Sequence, residues 1–277
     1  MRSPDFRPAR RGRPRAPARR GAALAAISVL LAAGCTTTTG PDAADTPPPA
    51  AESSRSPVQK RPSPVPARTV GAQISKISDA QWARIKGAGV WRPGCPVGRA
   101  GLRRVDLNYW SFDGEVRRGG IVVNQDVAAS VVRVFTRLFE ERFPIRRMTP
   151  IEAYRGDDDA SMRADNTSAF NCRRQGQANA PAAGSPHANG RAVDINPLEN
   201  PWKDTRCSCW MPSAKDSGRT PGKGKILKGG LVWRAFTAEG WIWQDIDVPD
   251  YQHFDTGYPS KPFRATGPAA TGTPVGR

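Results

Sequence analysis

Two histidines are all that a chain of 277 residues contains, so any chemistry that needs imidazole must use one or both of them. Apolar runs are short too. The longest, Gly21 to Gly34, has 14 residues, too few for a helix that spans the ~30 Å hydrocarbon core of a bilayer. Acids are outnumbered, with 25 Asp and Glu against 42 Lys and Arg; residues 1–20 carry +7 of the net +17, and the 34 basic and 24 acidic residues after Gly34 still leave +10, enough to draw the chain towards nucleic acid, anionic lipid or an anionic cell wall. No nucleic-acid-binding motif accompanies that charge. The five cysteines lack the paired CxxC spacing of a thiolate zinc site. There is no internal repeat, and helices and strands do not alternate in a βαβ rhythm, which argues against a solenoid and a doubly wound sheet.

What is present divides the chain by composition. Residues 1–20 carry eight arginines against the single acid Asp5, and with the apolar run they read as a secretory signal over 1–34. The small residues before Cys35 resemble the bacterial lipobox, with Ala32 where that motif usually has Leu; this implies a lipid anchor at Cys35, with plain secretion as the alternative. Residues 35–70 are rich in Pro, Thr, Ala and Ser and cannot bury enough apolar surface to fold, so they read as a tether. From 71 to 265 the eight tryptophans and the periodic apolar positions predict one α+β domain, with 266–277 as a loose tail. Ser78 is the expected cap of a short helix around Trp82 and Ile85, and Asn124 that of a longer one with Val127, Val131, Phe135, Leu138 and Phe139 on one face. A third helix should stop at Gly240. In an exported chain, four cysteines besides Cys35 favour disulfides. Because a one-residue loop is hard to close, Cys207 and Cys209 are each expected to reach back to Cys95 or Cys172.

Both histidines lie among acids and glycine or aromatic residues. His187 stands in SPHANGRAVD, seven positions before Asp194, and His253 in DYQHFD, 59 positions after it. Two imidazoles and one carboxylate would give a catalytic zinc three protein ligands and leave the fourth tetrahedral position for water. Asp250, three residues before His253, is placed to act as a general base beside them. Gly190 suits a positive φ or a close backbone approach between the ligands. Trp241, Trp243 and Tyr251 could line a groove or fill the core. Ser185 is a candidate to orient a ligand, and Asp157–Asp159 reads as a solvated turn or a calcium site.

SPHANGRAVDIN resembles the SxHxxGxAxD signature of the D-alanyl-D-alanine carboxypeptidase and dipeptidase family of zinc peptidases, through Ser185, His187, Gly190, Ala192 and Asp194. DYQHFD resembles the family's second signature through Asp250 and His253, and NTSAFNCR and NPLENPW are similar to its VanY-like secreted branch. The resemblance implies the metal-site fold shared with hedgehog-type domains, a small antiparallel sheet carrying the zinc and flanked by helices. It implies His187, Asp194 and His253 as zinc ligands and Asp250 as base, where many members have Glu. It also implies an arginine that holds the substrate carbonyl, for which Arg173 in FNCR and Arg155 in EAYR are both candidates.

The function that follows is hydrolysis of peptidoglycan stem peptides by a monomer on the outer face of a bacterial membrane. Removal of a terminal D-Ala is the first expectation and cleavage of an L-Ala-D-Glu type bond the alternative. A wall-binding lipoprotein that keeps zinc without hydrolysis is the rival from another class; it has no need of an acid at position 250.

Overall fold

The computed structural model describes residues 69–174, 176–177, 183–243 and 248–264. The leader, most of the tether and the tail expected from the sequence lie outside the described residues. Within them, four α-helices and small, mostly antiparallel sheets build a single α+β domain.

Strand β1 (Gln73–Lys76) pairs with β2 (Leu102–Trp110), which forms a long antiparallel hairpin with β3 (Val116–Asn124). In β2, Val105, Leu107 and Tyr109 alternate with less buried neighbours and turn one face of the sheet to the main core, while Leu102, out of phase with them, joins a second apolar cluster with Ile77 and Val122. Helix α1 (Asp79–Gly87) begins where expected, with Ser78 Oγ accepting from the Gln81 N–H at 3.2 Å. Helix α2 (Ala128–Glu140) starts later than Asn124 suggested. Asn124 ends β3 instead, and its amide donates to the Asn189 carbonyl while its Oδ1 accepts from the Asp126 N–H. Asparagine serves a turn as well as it serves a cap, and here the turn takes it. The apolar face of α2 is buried as its spacing predicts. Helix α4 (Leu231–Ala238) ends at Gly240, whose φ of +91° is the left-handed conformation of a terminating residue.

A second three-stranded sheet stands on this core. It consists of β6 (Ala192–Asp194), β10 (His253–Asp255) and β9 (Ile242–Trp243), with β10 central. Between His253 and Asp255, Phe254 turns its side chain into the core and stacks on Phe236 of α4, with ring centroids 4.1 Å apart. The short parallel pair β4 (Arg147–Met148) and β5 (Asn166–Thr167) lies alongside, with helix α3 (Asp158–Arg163) between them in sequence. The last pair is the hairpin of β7 (Trp202–Asp204) and β8 (Cys209–Met211).

Cysteine pairing differs from the expectation. Cys95 bonds Cys172, and Cys207 bonds Cys209 across Ser208. Ser208 has φ +53° at the tip of the β7–β8 hairpin, and this turn brings the two flanking Cα atoms to 5.1 Å, within disulfide reach. The four paired thiols leave no thiolate metal site among the described residues.

The turn after β6 depends on buried polar groups. Asp165 Oδ1 accepts from the Leu198 N–H at 2.9 Å, and Arg146 reaches both Asp165 and Glu199, at 3.4 and 3.6 Å. Burial, aided by the Asp165 carboxylate beside it, pushes the Glu199 carboxyl from its ordinary 4.5 up to about 8. A carboxyl that holds its proton better in the fold than in the unfolded chain stabilises at low pH and loses that contribution as pH rises towards 8. Stability should therefore fall between pH 5 and 8, by on the order of 1 kcal/mol per unit. Thermal melts across this range should show a decline that Glu199→Gln flattens.

Candidate functional site

Each ligand candidate is placed by a different local device. His187 sits in a turn over 186–190 that Ser185 helps to close, its Oγ accepting from the Ala188 N–H and its carbonyl from the Asn189 N–H. Ser185 thus shapes the turn and makes no hydrogen bond to a ligand ring. Gly190 ends the turn with φ +68°, and a Cβ there would stand 2.7 Å from the Asn124 nitrogen, so both reasons for glycine apply. Asp194 closes β6 and His253 opens β10, and the register pairs these two residues directly. Ser168 adds a bridge on the other side of Asp194, exchanging both backbone hydrogen bonds with it at 3.0 and 2.9 Å.

The three side chains converge. His187 Nε2 lies 3.2 Å from Asp194 Oδ2, His253 Nδ1 lies 2.9 Å from Asp194 Oδ1, and the two ring nitrogens are 3.1 Å apart. All three residues are buried, and their ligand atoms fall within 4.8 Å of one another. The opposite nitrogen of each ring settles the tautomer. His187 Nδ1 is 2.7 Å from the Ala169 carbonyl, which can only accept, so Nδ1 carries the proton and Nε2 presents its lone pair. His253 Nε2 donates to Asp255 at 3.0 Å, which leaves Nδ1, 2.9 Å from Asp194 Oδ1, as the ring nitrogen that faces the site. Two lone pairs and a carboxylate this close repel unless a proton or cation stands among them, and a divalent cation fits this N, N, O set.

The electrostatics agree. Burial works against ionisation of Asp194, but His187 and His253 outweigh it and hold its carboxyl well below the usual range. Burial likewise opposes charge on His253, and the hydrogen bonds to Asp194 and Asp255 reverse that and raise it.

Asp250, Arg173 and the three ligand candidates all line one cavity of about 410 Å³. Among the described residues, Oδ1 of Asp250 is buried without a hydrogen-bond partner. Burial raises its carboxyl to about 6, against the pull of His253 and with the push of Asp194. Arg173 pairs with Asp158 and lies close enough to Asp194 and Asp250 for their charges to outweigh burial and raise its own pKa. Its backbone is clamped by Arg92, whose guanidinium donates to the Cys172 and Arg173 carbonyls, and by the Cys95–Cys172 disulfide next to it. Arg155 is not brought into the cavity. It ends a short 3-10 turn over Ile151–Tyr154 with φ +57°, is exposed, and contributes its carbonyl to Arg174.

Other assignments also change. Trp241 and Trp243 belong to the core, with indole N–H groups on Ser130 Oγ and the Tyr251 carbonyl, and Tyr251 packs beside them; the aromatic residues lining the cavity are Trp202 and Tyr258. In the acid run, Asp157 caps α3 and Asp158 takes Arg173 and Asn171, so two of its three carboxylates are engaged within the protein. Sequence reasoning missed Asp255, although its position two residues after His253 in a strand puts it on the same face. It also missed the Asp158 and Arg92 partners of Arg173, for which the sequence carries no local signal. Asp255→Asn should weaken metal binding by about 10- to 100-fold without unfolding the domain. Competition with a chromogenic chelator would read the change, and unchanged affinity would remove Asp255 from the site.

Comparison with known proteins points the same way. Residues 178–256 match the family described as D-alanyl-D-alanine carboxypeptidase. Neither the curated proteins nor the solved structures give a match. The matched stretch contains both histidines, Asp194 and Asp250, so the similarity to that family of metallopeptidases falls on the residues that build the site.

Proposed function

We propose that this protein is a zinc D,D-carboxypeptidase that removes the terminal D-Ala from peptidoglycan stem peptides. The observation that carries this reading is the convergence, in one cavity, of two imidazole nitrogens, a carboxylate, an unpartnered buried carboxyl oxygen and a guanidinium. His187 Nε2, Asp194 and His253 Nδ1 would hold the zinc, which when bound supplies Lewis-acid polarisation of the scissile carbonyl and makes water more acidic, towards a pKa of ~7.

The chain's own residues supply the rest. Asp250, with its carboxyl at about 6, is mostly ionised at neutral pH and basic enough to take a proton from the attacking water. It then returns that proton to the departing amine nitrogen, which leaves as a neutral amine. Arg173, permanently charged and held by Asp158, donates to the carbonyl oxygen as negative charge gathers on it. An endopeptidase acting near the same bond would use the same residues and differ in the groove beyond them.

The layout of the chain supports the location. A leader over 1–34, a lipid on Cys35 and a tether to about residue 70 would hold the domain over 71–265 at the outer face of the membrane, within reach of the wall. The basic excess favours an anionic polymer there.

Mass spectrometry of defined muropeptides incubated with the domain should show loss of D-Ala that a chelator abolishes and zinc restores. Asp250→Asn should keep the metal and lose about 10²- to 10⁴-fold in kcat. Arg173→Ala should cost about 10²- to 10³-fold, and Arg155→Ala should change kcat less than twofold. A new internal cleavage in place of D-Ala release would move the reading to an endopeptidase, and intact peptides with metal bound would leave a wall-binding protein.

A further inference from the structure

The cavity holds a charge problem that the ligands and the base leave open. Six aspartates line it, at positions 157, 158, 159, 194, 250 and 255, against two arginines, Arg173 and Arg206. An anionic group of a substrate would be repelled unless a cation received it. Arg173 is committed to Asp158. Arg206 is not fully committed.

Arg206 stands at the tip of the β7–β8 hairpin. Its Nε and Nη2 bind Asp204, at 3.0 Å to Oδ1 and 2.6 Å to Oδ2, and its backbone N–H also donates to Asp204 Oδ1. Asp204 is buried, so this contact fixes the side-on edge of the guanidinium firmly. The end-on edge remains: Nη1 makes no hydrogen bond among the described residues, and the side chain is 56 % exposed while lining the cavity. A guanidinium held along one edge offers the other as a preformed fork for a second carboxylate. Asp159 is near enough to act on Arg206 through its charge, and Arg173 is the only other Lys or Arg among the described residues that line the cavity.

The hairpin also has a fixed relation to the base. Trp202 forms a β-bridge with Asp250, and the Lys203 N–H donates to the Pro249 carbonyl at 2.7 Å. Asp204 therefore lies two residues, roughly 7 Å, along the strand from the position opposite Asp250. That span corresponds to about two residues of an extended peptide. The Cys207–Cys209 bond closes the tip across Ser208, directly after Arg206, and limits the conformations from which the fork is presented.

We infer that Arg206 is a specificity residue that receives a free carboxylate of the peptide one or two residues from the cleaved bond, with Asp204 and the Cys207–Cys209 bridge as its positioning groups. This rests on the peptidase reading above. Two carboxylates could be the source, the C-terminal one and that of an internal acidic residue.

The test uses three synthetic stem peptides: the free acid, its C-terminal amide, and the acid with its internal acidic residue amidated. For the wild-type domain, one of the two amidations should raise KM about tenfold or more and so identify the source. Arg206→Gln should raise KM for the free acid by the same factor, leave the sensitive amide and the metal content unchanged, and abolish discrimination. Arg206→Lys, which keeps the charge but loses the fork, should fall between and guards against a folding defect from unpairing Asp204. The Cys207→Ser, Cys209→Ser double variant should raise KM for the free acid without changing metal content. Equal wild-type cleavage of all three peptides, or equal loss on acid and amides in Arg206→Gln, would overturn the inference. If the wild type cleaves none of them, the peptidase reading fails, and calorimetric titration of the same peptides must still show the acid-over-amide preference and its loss in Arg206→Gln, or the subsite fails as well.

Discussion

The centre depends on one register, that of β6 against β10. His253 lies directly opposite Asp194, and their side chains meet at 2.9 Å on the face turned to the cavity. A slip of one residue would turn both to the other face and bring Phe254, now stacked on Phe236, into the site. The core contact and the ligand contact therefore enforce each other: burying Phe254 obliges its two neighbours, His253 and Asp255, to point away from the core. With strand period two, Asp255 then lies on the side of His253 and supplies the hydrogen bond that orients it. The hydrophobic effect, which has no direction of its own, sets an imidazole tautomer through this alternation.

A second organiser is the extended segment that follows β5. Ser168 exchanges backbone hydrogen bonds with Asp194, Ala169 receives His187 Nδ1, the Phe170 N–H is tied to β3 at Val122, and the Asn171 N–H takes the His187 carbonyl. Cys172 carries the disulfide and Arg173 the guanidinium that enters the cavity. Six consecutive residues thus hold one ligand candidate in place, set the proton of another and deliver a cation. Such a segment cannot relax without moving the site, and its constraints are redundant: a sheet bond, a buried Phe170 ring, a disulfide and the Arg92 clamp act on it together. Redundancy of this kind limits the reorganisation a reaction would require.

Legibility in the sequence followed the range of each interaction. The α1 and α4 boundaries were readable because a serine cap and a terminating glycine act within one turn. His187 and His253 stand out because histidine is scarce in this chain, and Asp194 and Asp250 because they fall at short spacings from them. Asn124 does not cap α2 because the same side chain satisfies a turn instead. The Cys207–Cys209 bond was excluded on loop length, whereas Ser208 adopts a left-handed conformation that shortens the gap. Arg173 and Arg155 could not be separated by pattern, since what distinguishes them is Asp158 and Arg92, brought in from 15 and 81 residues away. Long-range partners leave no local trace in a single sequence.

The charge distribution links the interior to the surface. Six aspartates and two arginines make the cavity strongly anionic when the histidines are neutral, and a divalent cation at the three ligands offsets only part of that. The chain as a whole is cationic by a wide margin. An anionic peptide would thus be drawn to the molecule by its outer field and resisted at the cavity, and charge there can be accepted only at discrete points. On the proposed reading those points would be a bound ion, Arg173 and the open edge of Arg206. A site built in this way selects by where a substrate carries its negative charge, because each carboxylate must find its own partner or remain in an unfavourable field.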